Sequence, residues 1–481
     1  MKRQNVGKNF LYQFLYQVVI LVIPLVLSPY LTRTLGDTAL GTYSYVNSIA
    51  YYFVMLSMLG ITKHGQRLIA SNSNDKLSLR KNFWSLLVLH LIISAFFNIA
   101  YLLYVSFFVK KDTLIYAIEG FYVLSALFDI TWLYYGLENF KSVTIKNAAV
   151  KIIECVLIFI FVKNSNDLPI YTLIVAGGLF IGQVIMWPQA ISLITPIRVT
   201  RNEVIQHLKP ILIFSVAVIA VSLYTVFDKT LLGILSTKEN VAYYEYSNRI
   251  IAIPRTFIAV IGNVMFPKAC KLTSENNIDE LKKYMRYSLV LTYAIGFAAM
   301  FGLFVIADEF ALTYYGTSFA KCGHIIISMA VLPLIVGVGD IARTQYMIPM
   351  KMDKLYTFCI LICAVVNIIL SSLLIPVFGV YGAVIGTISA ELFGCIYQLY
   401  ICRRIISPKA LFANGFPFLI IGFIMYLTLT RINLTAFSSI IRLGVQVLMG
   451  ALVYVSLSFA YFMLFDKDIK GLILSKITRR R

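Results

Sequence analysis

The chain has 481 residues; 59% are hydrophobic, only 13% are charged, and 42 Lys and Arg against 22 Asp and Glu leave a net charge of +20. A soluble domain carries about 25% charged residues, so this composition excludes a water-soluble globule and points to a polytopic membrane protein. The basic residues lie between apolar segments, which assigns them to loops that anchor on anionic headgroups and excludes a nucleic-acid-binding stripe.

A membrane-crossing helix needs roughly 20 mostly apolar residues. Taken in order, such runs fall near 10–31, 41–62, 83–108, 113–135, 144–162, 170–192, 210–235, 241–265, 287–307, 323–347, 355–376, 379–402, 411–430 and 440–465. The expected fold is therefore all-α and polytopic, with about 14 transmembrane helices. The first run follows Lys2, Arg3 and Lys8. It is too long for a signal-peptide core and lacks a small-residue cleavage site, so it reads as a retained helix.

The positive-inside rule supports this count. With the N-terminus in the cytoplasm, the segments on that side hold 29 of the 42 Lys and Arg, the external segments hold 7, and 6 fall inside helices. Both termini are expected to be cytoplasmic. Two basic stretches, NIDELKKYMRYSL at 277–289 and DKDIKGLILSKITRRR at 466–481, read as amphipathic pieces on the membrane surface.

The parts needed for covalent or hydrolytic chemistry are missing. The seven cysteines (155, 270, 322, 359, 363, 395, 402) form no CxxC pair, and the four histidines (64, 90, 207, 324) form no HExxH. No GxSxG or Walker-type loop occurs. The expectation is a non-enzyme with no catalytic residue, metal or cofactor.

YSYVNSI at 43–49 echoes YEYSNRI at 244–250, each after a Leu-Gly turn, Leu35-Gly36 and Leu232-Gly233. The two copies open the second and eighth runs. An offset of six helices is even, so both run in the same direction. This predicts two six-helix bundles in a parallel pseudo-repeat, residues 1–200 and 201–405, with two extra helices and a basic tail over 406–481. Rocking one half against the other would expose a wet cleft alternately to each side. Pro24, Pro29, Pro254 and Pro333 are bend points in this reading.

Ions inside the spans narrow the function, because a charge at mid-bilayer costs ~2.5–3.5 kcal/mol and marks a wet cavity or a partner. Asp228, Lys229, Glu245, Arg249 and Arg255 crowd the seventh and eighth runs. Arg binds phosphate with a planar fork, so Arg249, Arg255 and Lys229 are candidates for an anionic ligand. Tyr45, Asn47 and Asn248 are candidates for sugar contacts. Glu245–Arg249, Asp340–Arg343 and Lys151–Glu154 have local-pair spacing. Asp129, Glu391, Asp228 and Glu119 are candidates for ion coupling.

The segment over residues 8–70 resembles the opening of bacterial polysaccharide flippases of the Wzx type. The matching features are SPYLTRTLG, ALGTYSYV and LGIT followed by basic residues; VFGVYGAVIGTISAE at 377–391 is similar to that family's twelfth helix. The family belongs to a superfamily with MATE exporters and lipid II flippases. The resemblance implies a V-shaped pair of bundles in the bacterial cytoplasmic membrane. It implies as cargo an undecaprenyl-pyrophosphate-linked oligosaccharide for capsule or O-antigen assembly, proton or Na+ coupling, and a polysaccharide polymerase as a downstream partner. The family's cationic cavity corresponds by helix position to Arg249 and Arg255, and the basic position of TRTLG to Arg33. A monomer among membrane lipids is expected. A lipid II flippase and a MATE-type exporter are the alternatives. A membrane polymerase would need a large external loop, and the longest here is roughly 15 residues around 308–322.

Overall fold

In the computed structural model, residues 22–432, 437–466 and 470–471 are described, and these are helical almost throughout with no strand among them. The chain divides into two compact units, Met1–Ala242 and Tyr243–Arg481.

The first unit contains α1 (described over 22–34), α2 (Gly36–Met58), α3 (Ile61–Asn72), α4 (Lys76–Phe108), α5 (Thr113–Leu127), α6 (Thr131–Gly136), α7 (Phe140–Phe161), α8 (Leu168–Val184), α9 (Trp187–Leu193), α10 (Arg201–Ile205) and α11 (Leu208–Leu235). Local chemistry sets their starts. The Asp75 carboxylate accepts from Leu77 N at 3.0 Å and opens α4. Thr200 and Glu203 form a reciprocal capping box at α10. Phe83, Leu86, Trp132, Tyr134 and Ile211 pack into one buried cluster. Gly65 lets α3 approach α6 there, since an added Cβ would lie 2.7 Å from the Trp132 ring.

Crossing from the first unit into the second is α12 (Lys238–Ser274). It is followed by α13 (Ile278–Phe310), α14 (Cys322–Met329), α15 (Leu332–Ala342), α16 (Asp353–Phe378), α17 (Val380–Cys402), α18 (Pro408–Arg431) and α19 (Ser439–Leu464). Gly379, at φ 55°, makes the left-handed turn that folds α17 back along α16. Met285, Leu289, Phe297, Phe301, Phe418 and Met425 are part of the core between α13 and α18.

Eleven helical segments among the described residues are long and apolar enough to cross a membrane. Ile99, Leu102, Phe107 and Phe108 of α4 are 58%, 61%, 74% and 75% exposed. Such a surface is costly in water and natural in lipid. The expected runs 144–162 and 210–235 are helical as α7 and α11 but are not among the eleven. Ions interrupt the apolar character of α7, at Lys146, Lys151 and Glu154. The expected run 10–31 lies largely outside the described residues.

Two expectations change. The stretch 277–289 is no separate surface helix but the first turns of α13, capped where Asn277 accepts from Glu280 N at 3.2 Å. Leu281, Met285 and Leu289 are buried in the bundle core, so packing extends the helix. The run 323–347 is broken at 330–331 and ends in a π turn, Arg343–Met347. Pro333 sits in the first turn of α15, where its missing N–H is harmless, and therefore starts a helix instead of bending one. The tail beyond 471 and most of the stretch from 467 lie outside the described residues.

The two sequence echoes have parallel settings inside their own units. In the first, the Tyr43 ring of α2 meets Tyr171 of α8 at 4.8 Å. In the second, the Tyr244 hydroxyl of α12 meets Thr387 of α17 at 3.0 Å. Each Tyr thus contacts the helix that lies four spans later in the expected numbering.

Candidate functional site

The second unit places its ions around two polar cavities. Along α12, Asn248, Ala252, Arg255 and Ala259 recur at helical spacing and share one face. They line a cavity of about 400 Å³ with Val336, Gly337, Asp340 and Arg343 of α15 and the turn after it. A second cavity of about 90 Å³ shares Val336, Asp340 and Arg343 and adds Gly339, Glu391, Cys395 and Gln398. Small residues on α15 allow the close approach: a Cβ on Gly337 would lie 2.5 Å from Ile258 of α12.

Each arginine has an acid. Arg255 Nη2 donates to Glu391 Oε1 of α17 at 3.4 Å. Arg343 pairs with Asp340 and also donates Nη1 to the Tyr356 hydroxyl at 3.0 Å. The Ser288 hydroxyl and the Gln345 side chain, 2.8 Å apart, tie the π turn carrying Arg343 to α13. The arginine side chains are 32% and 36% exposed and their acids 16% and 13%, so the guanidinium groups are the more accessible partners. Arg343 Nε and Gln398 Oε1 are buried without a hydrogen-bond partner. This leaves a spare donor and a spare acceptor beside the cavities.

The remaining candidates are distributed across both units. Asn248 and Arg255 line the larger cavity, whereas Arg249 turns to Glu245 at 3.1 Å and lies 4.5 Å from the Tyr246 ring. Asp228 and Lys229 belong to α11 of the first unit; Asp228 is buried and Lys229 half-buried. Asn47 donates to Glu119 at 3.4 Å; Glu119 is fully buried and its other oxygen has no partner. Tyr45 lies beneath the Lys238 ammonium, 3.2 Å from the ring centroid. Arg33 is exposed on α1. Asp129 accepts from Thr131 N at 2.8 Å and from its hydroxyl at 2.6 Å, which caps α6. Lys151 pairs with Glu154 at 2.7 Å. Among the described residues no cluster suited to a metal occurs.

Arg343 is the residue that sequence spacing undervalues. Its local pair with Asp340 is present, yet both also line the larger cavity together with Arg255. The signal was Gly337 and Gly339 just upstream, a small-residue face that admits a neighbouring helix.

An apolar cavity of about 440 Å³ lies on the other side of α12, lined in part by Ile250, Pro254, Phe257, Gly302, Met425 and Tyr454. Helices that expose apolar side chains outward while holding paired ions beside internal cavities define a polytopic membrane transporter.

The chain belongs to the polysaccharide biosynthesis protein family. The model described as "Polysaccharide biosynthesis protein" matches residues 6–273, and the one described as "Lipid II flippase MurJ" matches residues 147–463. Within the polysaccharide biosynthesis protein family the chain is of the Wzx type. A Shigella dysenteriae protein named for O-antigen transport is 26% identical over 389 residues, covering 78% of this chain and 94% of the relative. A Haloferax volcanii protein named as a low-salt glycan biosynthesis flippase is 24% identical over 256 residues, 52% of this chain and 53% of its own. Capsular polysaccharide biosynthesis protein CapF of Staphylococcus aureus is 22% identical over 292 residues, 57% and 70% of the respective chains. Among solved structures, lipid II flippase MurJ in an inward closed conformation has a TM-score of 0.69 at 16% identity, covering 94% of this chain and 98% of that one. An inward-facing multidrug resistance MATE family transporter gives 0.60 at 14% identity, covering 82% and 95%. At such identities the likeness establishes the fold. The Shigella and Haloferax relatives are named as a transporter and a flippase, not as enzymes.

Proposed function

We propose that the chain flips an undecaprenyl-pyrophosphate-linked oligosaccharide repeat unit across the bacterial cytoplasmic membrane for capsule, O-antigen or similar surface polymer. The observation that carries this reading is the presence of Arg255 and Arg343 on one polar cavity of about 400 Å³ within a membrane bundle. That volume falls in the range of small-molecule sites, ~300–1,000 Å³. A pyrophosphate-sugar headgroup loses hydration on entering hydrocarbon, at several kcal/mol per polar group. Two guanidinium forks replace that hydration with charge-assisted hydrogen bonds. Asn248 and Thr256 on the same cavity offer hydrogen bonds to sugar hydroxyls. The apolar cavity behind α12 suits the prenyl chain.

Transport by alternating access fits two repeat halves, residues 1–200 and 201–405. Both termini lie in the cytoplasm, the chain works as a monomer, and a polysaccharide polymerase receives the product. For proton or Na+ coupling, Glu119 is the best suited of the four candidate acids, because one of its oxygens is buried and unpartnered. Asp129 is engaged in capping α6, and Glu391 is engaged with Arg255.

The second reading, a lipid II flippase, is favoured by the MurJ model over residues 147–463. Mass analysis of lipid-linked intermediates after gene deletion separates the two. Accumulation of one undecaprenyl-linked polymer repeat unit, reversed by the wild-type gene, supports the first reading. Accumulation of lipid II supports the second, and accumulation of neither rejects both.

A further inference from the structure

We propose that Glu391 and Asp340 are tethered competitors of the cargo's pyrophosphate: they hold Arg255 and Arg343 when the site is free and release the cargo by recapturing them. This inference rests on the proposed cargo.

Three observations carry it. Each cavity arginine is matched by one carboxylate, Arg255 by Glu391 at 3.4 Å and Arg343 by Asp340. The acids are the more buried members, at 16% and 13% exposed against 32% and 36% for the arginines. An incoming anion therefore meets guanidinium edges first, with the carboxylates behind. The pairs also leave donors over: Arg255 gives Glu391 a hydrogen bond from Nη2 alone, at 3.4 Å. A guanidinium has five N–H donors, so a diphosphate can engage free donors before the carboxylate lets go.

The remaining groups around the two cavities are neutral: Asn248, Thr256, Cys395 and Gln398. Nearby Arg249 is held by its own Glu245. The cavity charges thus cancel before cargo arrives. Binding exchanges one anion for another, and no covalent bond is made or broken. The apparent affinity of a site equals its intrinsic affinity multiplied by the fraction of time the site is open. A carboxylate that occupies its arginine nine-tenths of the time weakens cargo binding about tenfold and speeds release by competing at the moment of dissociation.

The test uses the full chain in lipid nanodiscs, with a short-prenyl pyrophosphoryl-N-acetylglucosamine as the probe. Its dissociation constant is measured by calorimetry, and flipping of the same probe is measured in proteoliposomes. Glu391→Gln is expected to bind roughly tenfold tighter and to flip more slowly. Asp340→Asn should behave likewise, Glu391→Asp should restore the wild-type balance in part, and Arg255→Ala should bind more weakly. A merely structural Glu391 would lose binding and transport together. The inference is overturned if both neutral variants bind the probe as weakly as the wild type or more weakly. Asp340→Asn tests it on the second pair even where Glu391→Gln does not fold. If the wild type does not bind the probe at all, the cargo assignment itself fails and takes this inference with it.

Discussion

Arg255 on α12 and Glu391 on α17 meet at 3.4 Å although 136 residues separate them in the chain. This contact places a guanidinium at a cavity wall shared with Arg343. It also explains how a lone arginine, with no acid one turn away, is tolerated inside a membrane span.

Arg255→Ala and Arg343→Ala should each lower surface polymer at least tenfold while the protein stays in the membrane. The Lys substitutions should recover only part, because an ammonium keeps the charge but loses the bidentate fork. Removing Arg255 alone takes from Glu391 the cation 3.4 Å away, at a cost on the order of 1–3 kcal/mol, reduced by solvent screening. Arg255→Ala combined with Glu391→Ala should therefore recover thermal stability but not transport. Equal stability of the single and double variants would contradict the pairing.

Gly337→Ala tests the geometry that forms the cavity. The added Cβ would lie 2.5 Å from the Ile258 side chain of α12 and 2.9 Å from that of Thr292 of α13, so these side chains or the helices carrying them must shift. Overpacking of this kind costs about 1–3 kcal/mol. A lower melting temperature in detergent together with weaker probe binding is expected. An unchanged melting temperature would mean that α15 is not in close contact with α12 and α13.

Gly302→Leu tests the apolar cavity. Gly302 lines it and has nothing within 4 Å of the added Cβ position, so stability should change by less than about 1 kcal/mol. The leucine fills space assigned to the prenyl chain. Binding of a long-prenyl pyrophosphoryl sugar should weaken several-fold, and binding of a short-prenyl analogue should not. Equal effects on both would remove the cavity from cargo recognition.

His207, just before α11, gives a pH dependence of stability. Its ring contacts His64 at 3.0 Å and the Ser85 hydroxyl at 2.9 Å. Burial, reinforced by the His64 charge, lowers its pKa from 6.5 to about 4. A depressed folded pKa means that the native state holds the neutral ring. The stabilisation is present above pH 6.5 and is lost as pH falls toward 4. His207→Gln should flatten that part of the curve of melting temperature against pH, and an unchanged curve would show that His207 does not control it.

Much of the fold was legible because apolar runs and loop charges record membrane crossing directly. The local pairs Glu245–Arg249 and Lys151–Glu154 followed from helical spacing alone. The site was less legible. Spacing within one helix cannot reveal that Glu391 serves Arg255, or that Arg343 faces the same cavity, because both depend on tertiary packing through Gly337. The 277–289 stretch misled for a related reason: its basic face reads as a surface helix, while Leu281, Met285 and Leu289 on the other face are core.

The most direct test measures binding of the native undecaprenyl-pyrophosphoryl oligosaccharide, against the same lipid with a neutral linkage, to the wild type and to the Arg255→Ala, Arg343→Ala double variant. The wild type should prefer the pyrophosphate lipid by at least roughly a hundredfold, as two charge-assisted contacts of ~1.5–3 kcal/mol each would give, and the double variant should lose that preference. The same preference in both proteins would contradict an arginine-lined site for the pyrophosphate.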